Sequence, residues 1–163
     1  MVAIQDADLE YDPKDLLKMV EVFKKEPIDV IYGNRFGKNN KIIYYANWLG
    51  NRGLSLFSTL FTYPKARMWT SDMETCYKMV KGDIFRKIAK TISAKTNFGF
   101  EPEITAKLAK FKIKDRKEKG RHIKFAQIPI DYYPRTVAEG KKMKGLSDGF
   151  KALIEIIHYN LFD

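Results

Sequence analysis

The sequence holds one cysteine, Cys76, in 163 residues, so no disulfide can form within the chain and a reducing, cytoplasmic setting is expected. Histidine is almost as scarce. His122 and His158, with a single thiol, leave too few ligands for a zinc site. No run approaches the roughly 20 apolar residues that a membrane span needs. The opening Met1-Val2-Ala3-Ile4-Gln5-Asp6 has neither the basic flank nor the long apolar core of a secretory leader. Internal repeats and low-complexity tracts are also missing.

What remains is the composition of a folded domain. Hydrophobic residues make up 45% and aromatics 13%, enough for one domain with a real core. The formal net charge of +10 suits an anionic partner: nucleic acid, an anionic membrane surface, or a phosphate-bearing substrate. No nucleic-acid recognition motif accompanies the charge, so nucleic acid is not the expected partner.

Element order follows from pattern. Val2-Ala3-Ile4-Gln5 reads as a buried strand. Asp12-Pro13 supplies an N-cap and a first-turn proline for a helix carrying Leu16, Leu17, Val20, Val22 and Phe23. Ile28 to Tyr32 is the next strand, closed by Gly33-Asn34-Arg35. Strand, helix, strand in this order implies an α/β sheet. Residues 42–62 read as a long aromatic-rich helix in which Tyr45, Trp48, Leu49, Leu56, Leu60 and Phe61 recur at helical spacing. Thr75 to Val80 is a strand, Asp83 caps a short helix, and Pro102 opens another. Phe125 to Ile130 is a strand with an edge-type proline, Pro129. Residues 136–147 read as a mobile polar loop, and Asp148 caps a final amphipathic helix over 148–162.

The chemistry concentrates in Asp6-Ala7-Asp8-Leu9-Glu10. Alternation along an extended chain puts the three carboxylates on one side, where they repel unless a cation lies between them. Mg²⁺ or Mn²⁺ with oxygen ligands, shared with a substrate diphosphate, is one occupant that fits. A solvated turn with acidic caps is the other reading, and for an isolated D-x-D it is the commoner one.

The cluster is not isolated. It is followed in order by Gly33-Asn34-Arg35, Asp72-Met73-Glu74-Thr75-Cys76-Tyr77-Lys78, Phe100-Glu101-Pro102-Glu103-Ile104-Thr105, Ile128-Pro129-Ile130, Tyr133-Pro134-Arg135 and Glu139-Gly140-Lys141-Lys142. This ordered set resembles the dolichol-phosphate mannosyltransferase-like branch of family-2 (GT-A) glycosyltransferases, over nearly the whole of residues 1–163. The resemblance implies the C-terminal part of a GT-A domain, Rossmann-like, with a mixed, mostly parallel sheet. It implies an inverting, metal-dependent transfer from a nucleotide sugar (GDP-mannose or UDP-glucose type) to a polyprenyl phosphate. Such an enzyme would work on the cytoplasmic face of a membrane.

The family's residues carry over by position. Asp6 and Asp8 resemble its donor-binding pair, with Asp8 and Glu10 as metal ligands for Mg²⁺ or Mn²⁺. Arg35 resembles the arginine that meets the acceptor phosphate. Asp72 matches an active-site aspartate, so Asp8 and Asp72 are the catalytic candidates. Arg135 and Lys142 match basic residues of the loop that closes over the phosphates. Glu101 and Glu103 match as a motif, and acids at a helix start that favour its dipole would read the same. Two bound anions need cationic positioning more than a general base. Arginine suits that task through bidentate contacts.

Two features depart from the family pattern. The D-x-D falls at residues 6–8, whereas the family precedes it with a base-binding half. A truncated chain, or a partner chain supplying that half, is therefore expected. From Lys107 to Lys124 nine Lys/Arg face only Asp115 and Glu118, which fits an anionic-lipid contact and a solvated insertion equally. Two further readings stay open: a family-2 transferase with a polysaccharide hydroxyl acceptor, for which Asp72 or Glu101 would serve as base, and a non-catalytic remnant that binds a partner chain.

Overall fold

The computed structural model describes residues 1–7, 9–93, 99–115, 118–139 and 145–163. The apolar start forms β1 (Val2–Ile4). Asp12 then caps α1 (Pro13–Lys25), accepting a 2.9 Å hydrogen bond from the Lys14 amide, with Pro13 in the first turn where its missing N–H has no partner to lose. β2 (Val30–Asn34) is buried on both faces. Val30 and Tyr32 join one core cluster and Ile31 the other, as the two-residue period of a strand requires.

The chain continues through α2 (Tyr45–Ala66), β3 (Lys78–Val80), α3 (Gly82–Ala89) and α4 (Phe100–Lys110). It then forms β4 (Lys112–Asp115), β5 (Glu118–His122), β6 (Phe125–Pro129) and α5 (Gly145–Leu161). The main sheet has the order β1-β3-β2-β6. One core, with Met68, Ile84, Ile104 and Leu108, lies on one face, and a second, with Met19, Tyr77, Met79 and Ile130, on the other.

The α/β class and the mixed sheet agree with expectation: β1, β2 and β6 point the same way, and β3 alone is reversed. β3 runs antiparallel to both neighbours, Val80 lying opposite Val2 on one side and Val30 on the other, and only β2 with β6 is parallel. β3 follows α2 in the chain and lies between β1 and β2 in the sheet. Pro129 closes β6, the strand at the sheet edge, where a missing donor is tolerated.

Three local expectations are corrected. Lys81, not Asp83, takes the N-cap position of α3, and Asp83 lies in its first turn. Asp148 likewise lies in the first turn of α5, which begins at Gly145. Of the loop expected over 136–147, residues 137–139 form a turn and 145–147 are helical, while 140–144 lie outside the described residues. The basic stretch is a β4–β5 hairpin, with Lys112 opposite His122 and Ile113 opposite Arg121. It is anchored to the domain where Arg121 Nη1 meets the buried Asp29 carboxylate at 2.5 Å.

Four of the six apolar positions picked out in α2 face solvent, and Trp48 and Phe61 are half-buried. Tyr45, Leu49, Leu56, Leu60 and Tyr63 are exposed, while Ser55, Ser58, Thr59, Thr62 and Ala66 face inward. The hydroxyls of Ser55, Thr59 and Thr62 are hydrogen-bonded. Thr62 donates to the Met68 carbonyl at 2.9 Å, and Ser55 accepts from the Met73 amide at 2.9 Å. Among the described residues no helix is long and apolar enough to cross a membrane.

Candidate active site

The acidic segment leaves β1 and is tied to the chain beyond β6. Tyr133 N donates to the Glu10 carbonyl at 2.8 Å, and Tyr11 bridges to Tyr132. Glu10 is buried, and its carboxylate accepts the Tyr132 hydroxyl at 2.9 Å and the Arg135 amide at 2.9 Å. Arg135 Nε lies 3.4 Å from the same carboxylate. Glu10 and Arg135, both singled out from sequence, thus come together. Asp6 is exposed at the end of β1 and bonds to Cys76. Burial first and Asp6 second hold the Cys76 thiol well above its usual range, so it stays neutral. Asp8 and Lys142 lie outside the described residues.

Arg35 and Asp72 also meet, as a closed pair. Asp72 is fully buried and accepts from Arg35 N at 2.9 Å, Nε at 2.8 Å and Nη2 at 2.7 Å. The guanidinium lies over the Tyr132 ring at 5.1 Å. Burial opposes its charge most, but Asp72, Tyr11 and Tyr132 together outweigh burial and raise its pKa well above its ordinary range. The bidentate geometry is the one a phosphate would ask of this arginine. In this structure its partner is Asp72.

The acids of α4 separate. Glu103 is fully buried and bound to the Ser93 amide at 2.7 Å and to Lys107 at 2.8 Å, one turn along the helix. Those contacts are structural. Glu101 belongs instead to a buried charge group with Glu74 and Lys78. The Lys78 side chain is fully buried, donates to the Thr75 carbonyl, and lies over the Tyr32 ring at 5.0 Å.

These elements border a cavity of about 490 Å³. Glu10, Arg35, Glu74 and Tyr132 form part of its wall, the 36–44 segment supplies Lys38 and Lys41, and the first turns of α2 supply Asn47, Trp48 and Asn51. Lys38 is held at 2.7 Å from Asp131. The sequence reading assigned no role to Glu74, Tyr132, Lys38 or the asparagines. Glu74 was within a quoted motif. The asparagines have no spacing rule that would have raised them. Among the described residues no three His, Cys, Asp or Glu side chains gather into a metal-sized cluster.

No curated protein matches the chain. The family model for glycosyl transferase family 2 matches residues 1–89, which contain Asp6, Glu10, Arg35, Asp72 and Glu74. That match spans more than half of the chain, and with the mixed α/β fold it establishes that this protein belongs to glycosyl transferase family 2.

Proposed function

We propose that the chain serves a metal-dependent, inverting transfer of a sugar from a nucleotide sugar of the GDP-mannose or UDP-glucose type to a polyprenyl phosphate. Family membership supports the glycosyl transfer itself. The observation that favours a lipid phosphate is continuity between the cavity and α2. Lys38 and Lys41 stand at the cavity, Trp48 of α2 lines it, and the exposed stripe of Leu49, Leu56, Leu60 and Tyr63 runs on along the same helix. A phosphate would be held at the cationic end while an isoprenoid chain followed the apolar stripe. The same stripe, with the overall positive charge, suits contact with the cytoplasmic face of a membrane.

Roles follow from chemistry. Asp6, Asp8 and Glu10 offer oxygen donors only, which fits Mg²⁺ or Mn²⁺. Bound there, the cation would neutralise charge on the departing nucleoside diphosphate. Arg135, beside Glu10, would place positive charge near the phosphates. Arg35 would orient the acceptor, with Asp72 fixing its guanidinium in plane.

A second reading, a hydroxyl acceptor, is favoured by one observation: Asp72 already neutralises Arg35. The two are separated by product. With nucleotide sugar, Mn²⁺ and geranyl phosphate, the lipid-phosphate reading expects a glycosyl phosphate ester detected by mass spectrometry. Sugar transfer to an oligosaccharide alone would overturn it. Asp8→Asn is expected to abolish metal-dependent donor binding.

A further inference from the structure

Glu74 is the cavity group whose surroundings have no structural explanation. Glu74 lines the cavity together with Arg35, and its Oε1 is buried with no hydrogen-bond partner among the described residues. A buried carboxylate oxygen left unpaired is costly, so the position asks for either a proton or a ligand. The charged groups acting on it come from every neighbouring element. They are Glu101 of α4, Lys78 of β3, Arg35 after β2, and Asp72 of its own segment. Two of the four are acids, and both oxygens of Asp72 are committed to Arg35. Burial first, then Glu101, push the Glu74 carboxyl up to about 7, against the pull of Lys78 and Arg35.

An ionised carboxylate in this wall would repel a phosphate. A protonated one would donate to it. We propose that Glu74 is a ligand-binding residue of the cavity, engaging a phosphate monoester as a neutral carboxyl that donates a hydrogen bond to a phosphate oxygen. The inference rests on the lipid-phosphate reading above and deepens it by naming the group that recognises the anion. The phosphate itself is almost wholly dianionic above pH 7, its second pKa being about 6. Any proton taken up on binding there must come to rest on the protein or on the bound phosphate, and substitution of Glu74 tells these apart.

The test is calorimetric titration of the full chain with geranyl phosphate in buffers of different ionisation enthalpy. With a free-state value of about 7, some three-quarters of Glu74 is ionised at pH 7.5. Wild type should therefore take up roughly three-quarters of a proton per ligand bound. Its affinity should fall towards about tenfold per pH unit between pH 7.5 and 8.5. Glu74→Gln keeps the shape and a donor, so it should bind with no proton uptake and a flat pH profile. Glu74→Ala should bind several-fold more weakly at pH 6.5 than either. Wild-type proton uptake persisting in Glu74→Gln would overturn the role of Glu74 while leaving the acceptor reading intact. Failure of wild type to bind geranyl phosphate at any pH would overturn both.

Discussion

Asp72→Asn tests the closed pair under the cavity. The substitution keeps size and one acceptor but removes the charge that faces Arg35. Asp72 is fully buried and the Arg35 side chain is only 10% exposed, so the guanidinium left behind has little access to water. Removing one member of a buried pair costs about 3–5 kcal/mol, because the other becomes an uncompensated charge. Three hydrogen bonds of 2.7–2.9 Å are weakened or lost, which argues for a full effect. The Tyr132 and Phe36 rings near the guanidinium, at 5.1 and 5.8 Å, stabilise it by a fraction of that, which places the cost towards about 3 kcal/mol. With a urea slope of about 2 kcal/mol/M, the unfolding midpoint should fall by roughly 1.5 M. Arg35→Met combined with Asp72→Leu should cost less than the sum of the two single changes, since no charge is stranded. Equilibrium urea unfolding followed by circular dichroism reads wild type and the four variants. A midpoint shift below about 0.5 M for Asp72→Asn, or additive single changes, would refute the reasoning.

Asp29 should tie stability to pH. Burial raises its carboxyl, but Arg121, Lys81 and the Lys124 amide outweigh burial and bring it to about 2, below the ordinary 3.8. Its contribution is therefore complete above about pH 4 and lost as pH falls towards 2; the shift corresponds to about 2 kcal/mol. Urea unfolding at pH 5 and pH 2.5 should show this loss in wild type and a smaller one in Asp29→Asn. Thr62→Val should leave the Met68 carbonyl without its 2.9 Å donor and lower the melting temperature by several degrees, for a cost of about 1–3 kcal/mol. Leu60→Glu, on the exposed side of the same helix, should shift it by no more than about a degree, and equal shifts for the two would contradict the assigned orientation of α2. Gly33→Ala would set a methyl 2.6 Å from Ile130 Cδ1, an overpacking worth about 1–3 kcal/mol; adding Ile130→Val should recover part of it in the same melting assay.

The sequence made most elements visible because local signals and tertiary packing agree. Asp12-Pro13 starts α1, and the β2 run from Val30 to Tyr32 is buried on both faces. Strand direction was hidden. Nothing local to Lys78-Met79-Val80 says that it runs against both neighbours, since a three-residue strand looks the same either way. The hairpin in the basic stretch was hidden too, because its lysines mask the strand pattern and its anchor, Asp29, lies far away in the chain. At the site, motif order brought out Glu10, Arg35, Asp72 and Arg135, and the fold gathers them as two pairs. It could not say that Arg35 would be matched by Asp72, nor separate Glu101, which acts on Glu74, from Glu103, which anchors Ser93. Those distinctions depend on burial, and burial is decided by parts of the chain distant in sequence.

The helix α2 has a consequence for how the protein can be altered. Its buried face is made of small residues, three of them hydrogen-bonded hydroxyls, so the hydrophobic surface it presents outward contributes little to keeping the chain folded. Folding and surface stickiness are thus separable in one helix. Replacing Leu49, Leu56 and Leu60 with charged residues should yield a chain that handles better in water with its cavity intact, whereas the small polar residues beneath tolerate little change. Variation along this helix can then retune what the outer face adheres to without passing through an unfolded intermediate.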